Sequence, residues 1–492
     1  MSVPQSVFVY SLQDNSRVRL SLEDRFLHID HAQQANQGNN FSCLTPASCV
    51  SPSSFAGGRL QSVVYFNILW ADLQQPNATP DRATLTIDYC DVVAEKTATL
   101  RQVMFAVDSA HQSGVQEFAA SLLNKAYKNT VRNKRLLVLI NPFGGQGTAR
   151  SRFTKYALPI LDAARCQVDQ VETKYKGHAA DLIQSMQGLV GKYDAIVCCS
   201  GDGIPHEVFN GLVNRQDIAE SLKIPVCQLP CGSGNALCMN LVGSNDLQFA
   251  SLNTVKGVPV AIDLCSLTQD GKRYVSFLSQ ALGMIADCDL GTENMRWLGE
   301  SRFTVGLLMR VLANARYPAE ISVRIAHESK TAVRKVYDEH KSAAQDDRAG
   351  LATTATLVHG TVEDPVPNDW KKIDSSTLAI FYVGKMAWMS SDALFFPAAL
   401  HRDGFMDMVI VDSKVPTLEK IKILLGVEKG KHFQSKHVQY YKVNAYRIVP
   451  KAQSGFISID GEKFNFSPFQ VEIHNGLGTV LARSQHLQAP PL

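Results

Sequence analysis

The chain has 492 residues, 45% hydrophobic and 19% charged, a composition that fills ordinary globular cores and excludes wholesale disorder. Its 49 basic and 46 acidic side chains leave a net charge of +3, too little at this size to hold nucleic acid across its surface. At roughly 150 residues per domain, about three domains are expected. No window approaches ~18 uninterrupted apolar residues, so no bilayer span is expected. The opening Met1-Ser2-Val3-Pro4 lacks the basic-then-apolar order of a secretory signal. The 11 cysteines are scattered and form no CxxC pair, so they read as reduced thiols of a cytosolic protein without a structural zinc site.

In chain order, residues 1–130 read as β-rich and then helical. Apolar residues alternate over Val18–Leu22 and Leu85–Tyr89, and a denser run covers Val63–Trp70. Val115, Phe118, Leu122, Leu123 and Ala126 mark one helix face. Strands closed by one helix suggest a pleckstrin-homology-like (PH-like) module. Residues 31–58, rich in Gln, Asn, Ser and Gly, read as a flexible insert in which Cys43 and Cys49 are candidate palmitoylation sites.

Residues 131–265 alternate strand, turn and helix. Strands are expected at Leu136–Ile140, Val168–Thr173, Ala195–Cys199 and Val226–Leu229, with helices at 153–164, kinked by Pro159, and at Ala179–Met186. This is the pattern of an α/β domain with a parallel sheet. From about 266 strands return, at Thr377–Val383, Met406–Val411, Ala445–Val449, Phe456–Ile459 and Phe469–Ile473, and suggest a β-sandwich reaching to 485. Within it the polar, proline-punctuated stretch 328–374 reads as a mobile insert.

Three glycine clusters stand where a strand gives way to a helix: Asn141-Pro142-Phe143-Gly144-Gly145-Gln146-Gly147, Ser200-Gly201-Asp202-Gly203 and Pro230-Cys231-Gly232-Ser233-Gly234-Asn235. Glycine admits close approach of backbone N–H groups, and a helix start adds unpaired N–H donors, so three such turns on one sheet edge point to a nucleotide phosphate site. There is neither a GxxxxGK[ST] P-loop nor a GxGxxG turn. His401-Arg402-Asp403 imitates a protein-kinase catalytic loop, but Met408 stands where its metal-binding Asn belongs. Asp202 is the informative residue, because a carboxylate inside a phosphate cradle repels the ligand unless it holds a metal or takes a proton from a substrate hydroxyl. Both roles belong to phosphoryl transfer. The plain alternative is that it caps the helix that follows.

NPFGGQG at 141–147, SGDGIPHEVFNGL at 200–212, LPCGSGNAL at 229–237, IADCDLGTENMRWLGESRF at 285–303 and IDGE at 459–462 together resemble the diacylglycerol-kinase-like catalytic region, and within it the sphingosine (sphingoid long-chain-base) kinases. The resemblance covers roughly 131–320 and 375–482. It implies an α/β nucleotide domain and a β-sandwich lipid domain with ATP and Mg²⁺ between them. It further implies Asp202 as the catalytic carboxylate, and Asn141, Gly144, Gly145, Thr173, Ser200, Gly201, Gly203, Gly232, Ser233, Gly234, Arg296, Arg302 and Glu462 around ATP. Asp202 and Glu462 are then the candidates near Mg²⁺. Phe143 departs from the family, which often places Arg or Lys there. Helical spacing also lets Arg296 pair with Glu293 or Glu300 on a surface helix.

By motif Asp289 takes the place that grips a substrate ammonium. A carboxylate beside an apolar tail site needs a cation, which a long-chain amine supplies and diacylglycerol or ceramide does not. Asp287, on the same face if the segment is a strand, competes for this role. Phe303, Leu307, Leu308, Val311 and Leu312 are candidates for lining a tail tunnel, with ordinary core packing as the alternative. The expected product is a sphingoid 1-phosphate; the alternatives are a diacylglycerol or ceramide kinase, or a non-catalytic lipid-sensing scaffold. The expected partners are the lipid and a membrane surface visited peripherally from the cytoplasm, with homo-oligomer formation left open and no nucleic acid.

Overall fold

The computed structural model describes residues 4–31, 61–75, 82–94, 96–144, 147–291, 309–341, 354–483, 490 and 492. The chain divides into two compact units, Met1–Arg132 with Asp162–Arg165, and Asn133–Leu161 with Cys166–Leu492.

The first unit is a seven-stranded sheet whose strands pair antiparallel. Alternation makes these strands half-buried: in Arg17–Glu23, Val18, Leu20 and Leu22 are buried while Arg17 and Arg19 are exposed. The dense run at Val63–Trp70 is not one strand. A 3₁₀ turn at Tyr65–Asn67 separates Gln61–Val64 from Ile68–Gln74, and the buried Tyr65 donates its hydroxyl to the Glu23 carbonyl at 3.0 Å. Helix Gln112–Ala126 buries Val115, Phe118, Leu122 and Leu123, and the Tyr127 hydroxyl ties its end to the Leu69 carbonyl at 2.6 Å. The insert at 32–60, with Cys43 and Cys49, lies outside the described residues.

The second unit opens with four parallel strands, Arg135–Ile140, Gln167–Glu172, Ala195–Ser200 and Val226–Pro230, with Arg135–Ile140 between the second and third. Pro159 does not simply kink its helix. The five residues Phe153–Ala157 just before it wind as a π-turn, which accommodates a ring that cannot donate a backbone hydrogen bond. Strand Val226–Pro230 meets the long strand Phe469–Ala482 at Val226–Val480, and an antiparallel series continues from there through Gln439–Pro450, Met406–Asp412, Leu378–Gly384, Ser279–Gly283, Ile457–Ile459 and Glu462–Phe464.

Strand Val258–Gln269 runs through residue 265 and pairs with Phe469–Ala482 from Val258 to Thr268. Of the stretch 328–374 the described parts are 328–341 and 354–374: Ser329 caps helix Lys330–His340, and Lys371–Ile373 joins the sheet. Between them, the Glu472 carboxylate accepts the Val358 and His359 N–H groups, while Arg447 donates to the carbonyls of Thr361 and Asp364. Side chains of the sheet therefore hold residues 358–364.

A bulge between Ile262 and Leu264 turns Asp263 into a wholly buried ionic network. Lys385 reaches Asp263 at 2.8 Å and Asp403 at 2.6 Å; Lys442 reaches Asp403 at 2.6 Å and Asp407 at 2.8 Å. Burial alone would raise the Asp403 carboxyl, but the two ammonium groups outweigh it and hold it at about 2. The acid of the kinase-like His-Arg-Asp triplet is therefore a structural counter-ion.

Candidate active site

In-register parallel pairing aligns the strand ends, Ile140 with Cys199 by way of Leu139–Cys198, and Ser200 with Pro230, so the glycine turns emerge side by side. A Cβ on Gly232 would lie 2.2 Å from the Gly201 Cα, so position 232 requires glycine, whereas one on Gly201 would lie 3.3 Å from the Gly232 Cα. In the first turn the Asn141 side chain accepts the Phe143 N–H at 3.0 Å and sits 3.0 Å from where a Gly144 Cβ would be. Gly145 lies outside the described residues.

Asp202 does not cap its own helix, Gly203–Val213. Its Oδ2 accepts the Ala236 N–H at 2.9 Å and its Oδ1 the Leu237 N–H at 3.0 Å, at the start of helix Ala236–Val242, and Gln228 Nε2 donates at 3.3 Å. Burial pushes its carboxyl above the ordinary value, and these three donors hold the rise back. A Cβ on Gly234 would lie 3.1 Å from Oδ2, which keeps that oxygen approachable.

Glu462 stands over the same turn: a Cβ on Gly203 would meet its Oε1 at 2.6 Å, and its Oε2 pairs with Lys176 Nζ at 2.5 Å. Its neighbour Asp460 is structural, accepting the Ser276 hydroxyl and the N–H groups of Phe277, Leu278 and Ser279, with His206 Nδ1 at 2.8 Å. The IDGE hairpin is thereby pinned to helix Gly203–Val213 through His206.

Asp287 and Asp289 lie on a helix, Met284–Gly291, and not on a strand. Residues two apart on a helix point in nearly opposite directions. Ile285, Cys288 and Asp289 face a cavity, and Asp289 accepts the Ser458 hydroxyl. Asp287 turns elsewhere, to Arg310 Nε at 3.2 Å and the Tyr317 hydroxyl at 2.7 Å, and does not line the cavity.

That cavity, about 950 Å³, holds Asp202, Asp289 and Glu462 together with Asn141, Gly144, Thr173, Gly201, Gly203, Gly232, Ser233 and Gly234. It continues along an apolar wall that includes Leu278, Val311, Tyr382, Phe395, Ile421 and Leu424. Ser200 is not part of it: its hydroxyl is buried and donates to the Gly201 carbonyl at 2.7 Å. Val311 lines the wall, whereas Leu312 is 64% exposed. Arg296, Arg302, Phe303, Leu307 and Leu308 lie outside the described residues. Sequence reasoning missed Gln228, Ser458 and Lys176. Gln228 alone carried a signal, a polar side chain inside the fully buried strand Val226–Pro230.

The acid and the paired glycine turns stand at a parallel-sheet edge within residues 135–267, which match the diacylglycerol kinase catalytic domain, a lipid-kinase class. The fold is shared with a putative diacylglycerol kinase from Bacillus anthracis, at TM-score 0.51 and 18% identity over 72% of this chain and 96% of that one. Residues 10–128 match a domain of unknown function. The chain is 34% identical to sphingoid long chain base kinase 5 of Saccharomyces cerevisiae, over 88% of this chain and 69% of that protein. It is 31% identical to sphingoid long chain base kinase 4 of Schizosaccharomyces pombe, over 95% and 96%, and 32% identical to human sphingosine kinase 1, over 69% and 88%. The chain belongs to the sphingoid long-chain-base (sphingosine) kinase family.

Proposed function

We propose that this protein transfers the γ-phosphoryl group of ATP to the primary hydroxyl of a sphingoid long-chain base, giving the 1-phosphate and ADP. One observation carries the reading: Asp202, the glycine turns and Asp289 share a single cavity with an apolar extension. The glycine turns present backbone N–H groups to the phosphates. Asp202, its carboxyl raised by burial, accepts the hydroxyl proton as oxygen attacks phosphorus. Asp289 offers its charge to the substrate ammonium, and the apolar wall receives the tail.

No group of three or more metal-ligating side chains occurs among the described residues, but Mg²⁺ usually takes only one or two protein carboxylates beside substrate phosphates. Asp202 and Glu462 fit that role, and the ion would neutralise phosphate charge. We read residues 1–130 as a PH-like module, on its antiparallel strands and closing helix, and the antiparallel strands of 266–485 as the lipid-binding β-sandwich. Among the described residues no helix is long and apolar enough to cross a membrane, which suits a cytoplasmic enzyme visiting the bilayer surface for its amphiphilic substrate. The test is transfer of label from [γ-³²P]ATP to sphingosine, diacylglycerol and ceramide offered together. Label on the amine alone supports the reading; label on a neutral lipid, or none, ends it.

A further inference from the structure

The strands that carry two of the glycine turns also carry a pair of thiols. Parallel pairing sets Cys199 beside Leu229 and Ser200 beside Pro230, and the Cys231 N–H continues the ladder to the Ser200 carbonyl at 3.2 Å. Side chains alternate along a strand, so Cys199, Leu229 and Cys231 share one face. The Sγ atoms of Cys199 and Cys231 come within 3.5 Å of each other. The Cys199 Sγ also lies 3.7 Å from the carbonyl oxygen of Ala149, where the helix after the first turn begins. One thiol pair thus touches elements attached to all three turns.

Cysteines buried in apolar surroundings are ordinarily inert. Burial raises the thiols of Cys198 and Cys238 well above the ordinary value and that of Cys227 to about 11, so they stay protonated. Cys231 differs. Its thiol is lowered, first by the hydrogen bond with Cys199 and then, against the effect of burial, by the Arg152 guanidinium. It is 3% exposed, and the next residue, Gly232, lines the cavity, so a water-sized oxidant in the site comes close to the sulfur.

We propose that Cys199 and Cys231 form a modification site: hydrogen peroxide joins them in a disulfide that distorts the glycine turns and shuts the cavity to its reaction, and a dithiol reopens it. The Cys231 sulfur attacks one peroxide oxygen, the O–O bond breaks, and a sulfenic acid forms as a first water leaves. The Cys199 sulfur then attacks the sulfenic sulfur, the S–O bond breaks, and the hydroxyl departs as a second water with the Cys199 proton. The two thiols lose two electrons and two protons, and the peroxide becomes two waters. Closing the sulfurs from 3.5 Å to about 2 Å draws the two strand ends together. The turns have no room to follow, since Gly201 and Gly232 already stand backbone to backbone. Asp202, on one turn, hangs from the N–H groups of Ala236 and Leu237 beyond the other, so a shift between the strand ends disturbs the hold on its carboxylate. The loss of turnover rests on the kinase reading; the bridge does not.

The full chain, treated with hydrogen peroxide and then alkylated, is digested and mapped by mass across all 11 cysteines. The expected product is a peptide pair joined through Cys199 and Cys231, two hydrogen atoms lighter than its parts. Transfer of label from ATP to sphingosine should fall about tenfold or more with it and return on addition of dithiothreitol. Cys199→Ala and Cys231→Ala, each compared with its own untreated sample, should stay within about twofold under the same treatment. No bridge, a bridge between other cysteines, or equal inactivation of Cys199→Ala would overturn the proposal. So would a Cys199–Cys231 bridge that leaves turnover unchanged. Untreated wild type that labels no lipid removes the kinase function itself, and the joined peptide, read by mass alone, then still upholds or removes the thiol pair.

Discussion

Gly201 and Gly232 face each other so closely that a methyl group on Gly232 would overlap the backbone of Gly201, 2.2 Å from Cα and 2.6 Å from N. Both atoms are main chain, so no rotamer can give way. Gly232→Ala should cost about 1–3 kcal/mol of stability and spread the two turns. Differential scanning calorimetry should show a lower melting temperature, and equilibrium titration should show nucleotide affinity reduced at least about tenfold. Unchanged affinity would mean that the turns are spacers and not a cradle.

Asp202→Asn is expected to lower turnover about 10²–10⁴-fold, because the amide cannot accept the proton. Its fold should survive: one side-chain oxygen remains to accept a backbone N–H, and the loss of the other costs about 1–2 kcal/mol. The pH dependence has a definite sign. Burial raises the carboxyl, so folding favours its protonated form. That contribution is complete below the unfolded value of 3.8 and fades as pH rises through the folded pKa. Melting temperature against pH should therefore lose this component in the Asn variant. In wild type the acid limb of kcat/KM should fall above the ordinary carboxylate value.

Asp289 and Asp287 should separate cleanly in kinetics. Asp289→Asn is expected to raise KM for sphingosine about tenfold or more while leaving KM for ATP within about twofold. Asp287→Asn, which loosens the contacts to Arg310 and Tyr317, should lower the melting temperature and leave the ratio of amine to neutral-lipid use unchanged. Identical kinetic profiles for the two variants would contradict the helical geometry that parts them.

Lys385→Met leaves Asp263 and Asp403 buried with one ammonium fewer. Breaking a buried pair from one side costs about 3–5 kcal/mol, so denaturant melts should shift accordingly. Asp403, held at about 2, contributes stability that is present above 3.8 and lost as pH falls from 3.8 towards 2. Acid titration of wild type should show that loss, and the variant should show less of it.

The nucleotide side was legible because its elements are local. Ala195–Ser200 and Val226–Pro230 are short apolar runs bounded by glycine, and they stand where the pattern places them, extended by one residue. The helix at Met284–Gly291 was not legible. Its buried residues Met284, Ala286 and Cys288 fall two apart, as in a strand, because packing surrounds the helix on several sides. The Lys176–Glu462 contact joins residues nearly three hundred positions apart and belongs to no sequence period. Strand Val258–Gln269 was hidden for another reason: it is buried along most of its length and carries polar residues inward, Asp263 among them, so alternation never declares it.

The glycine turns and the apolar wall line one and the same cavity. A synthetic compound that joins a polyanionic head to an alkylamine through a short linker would therefore engage both halves at once. Its gain over either fragment, set by the effective concentration of the tethered half, would measure how far apart the two reactants are held.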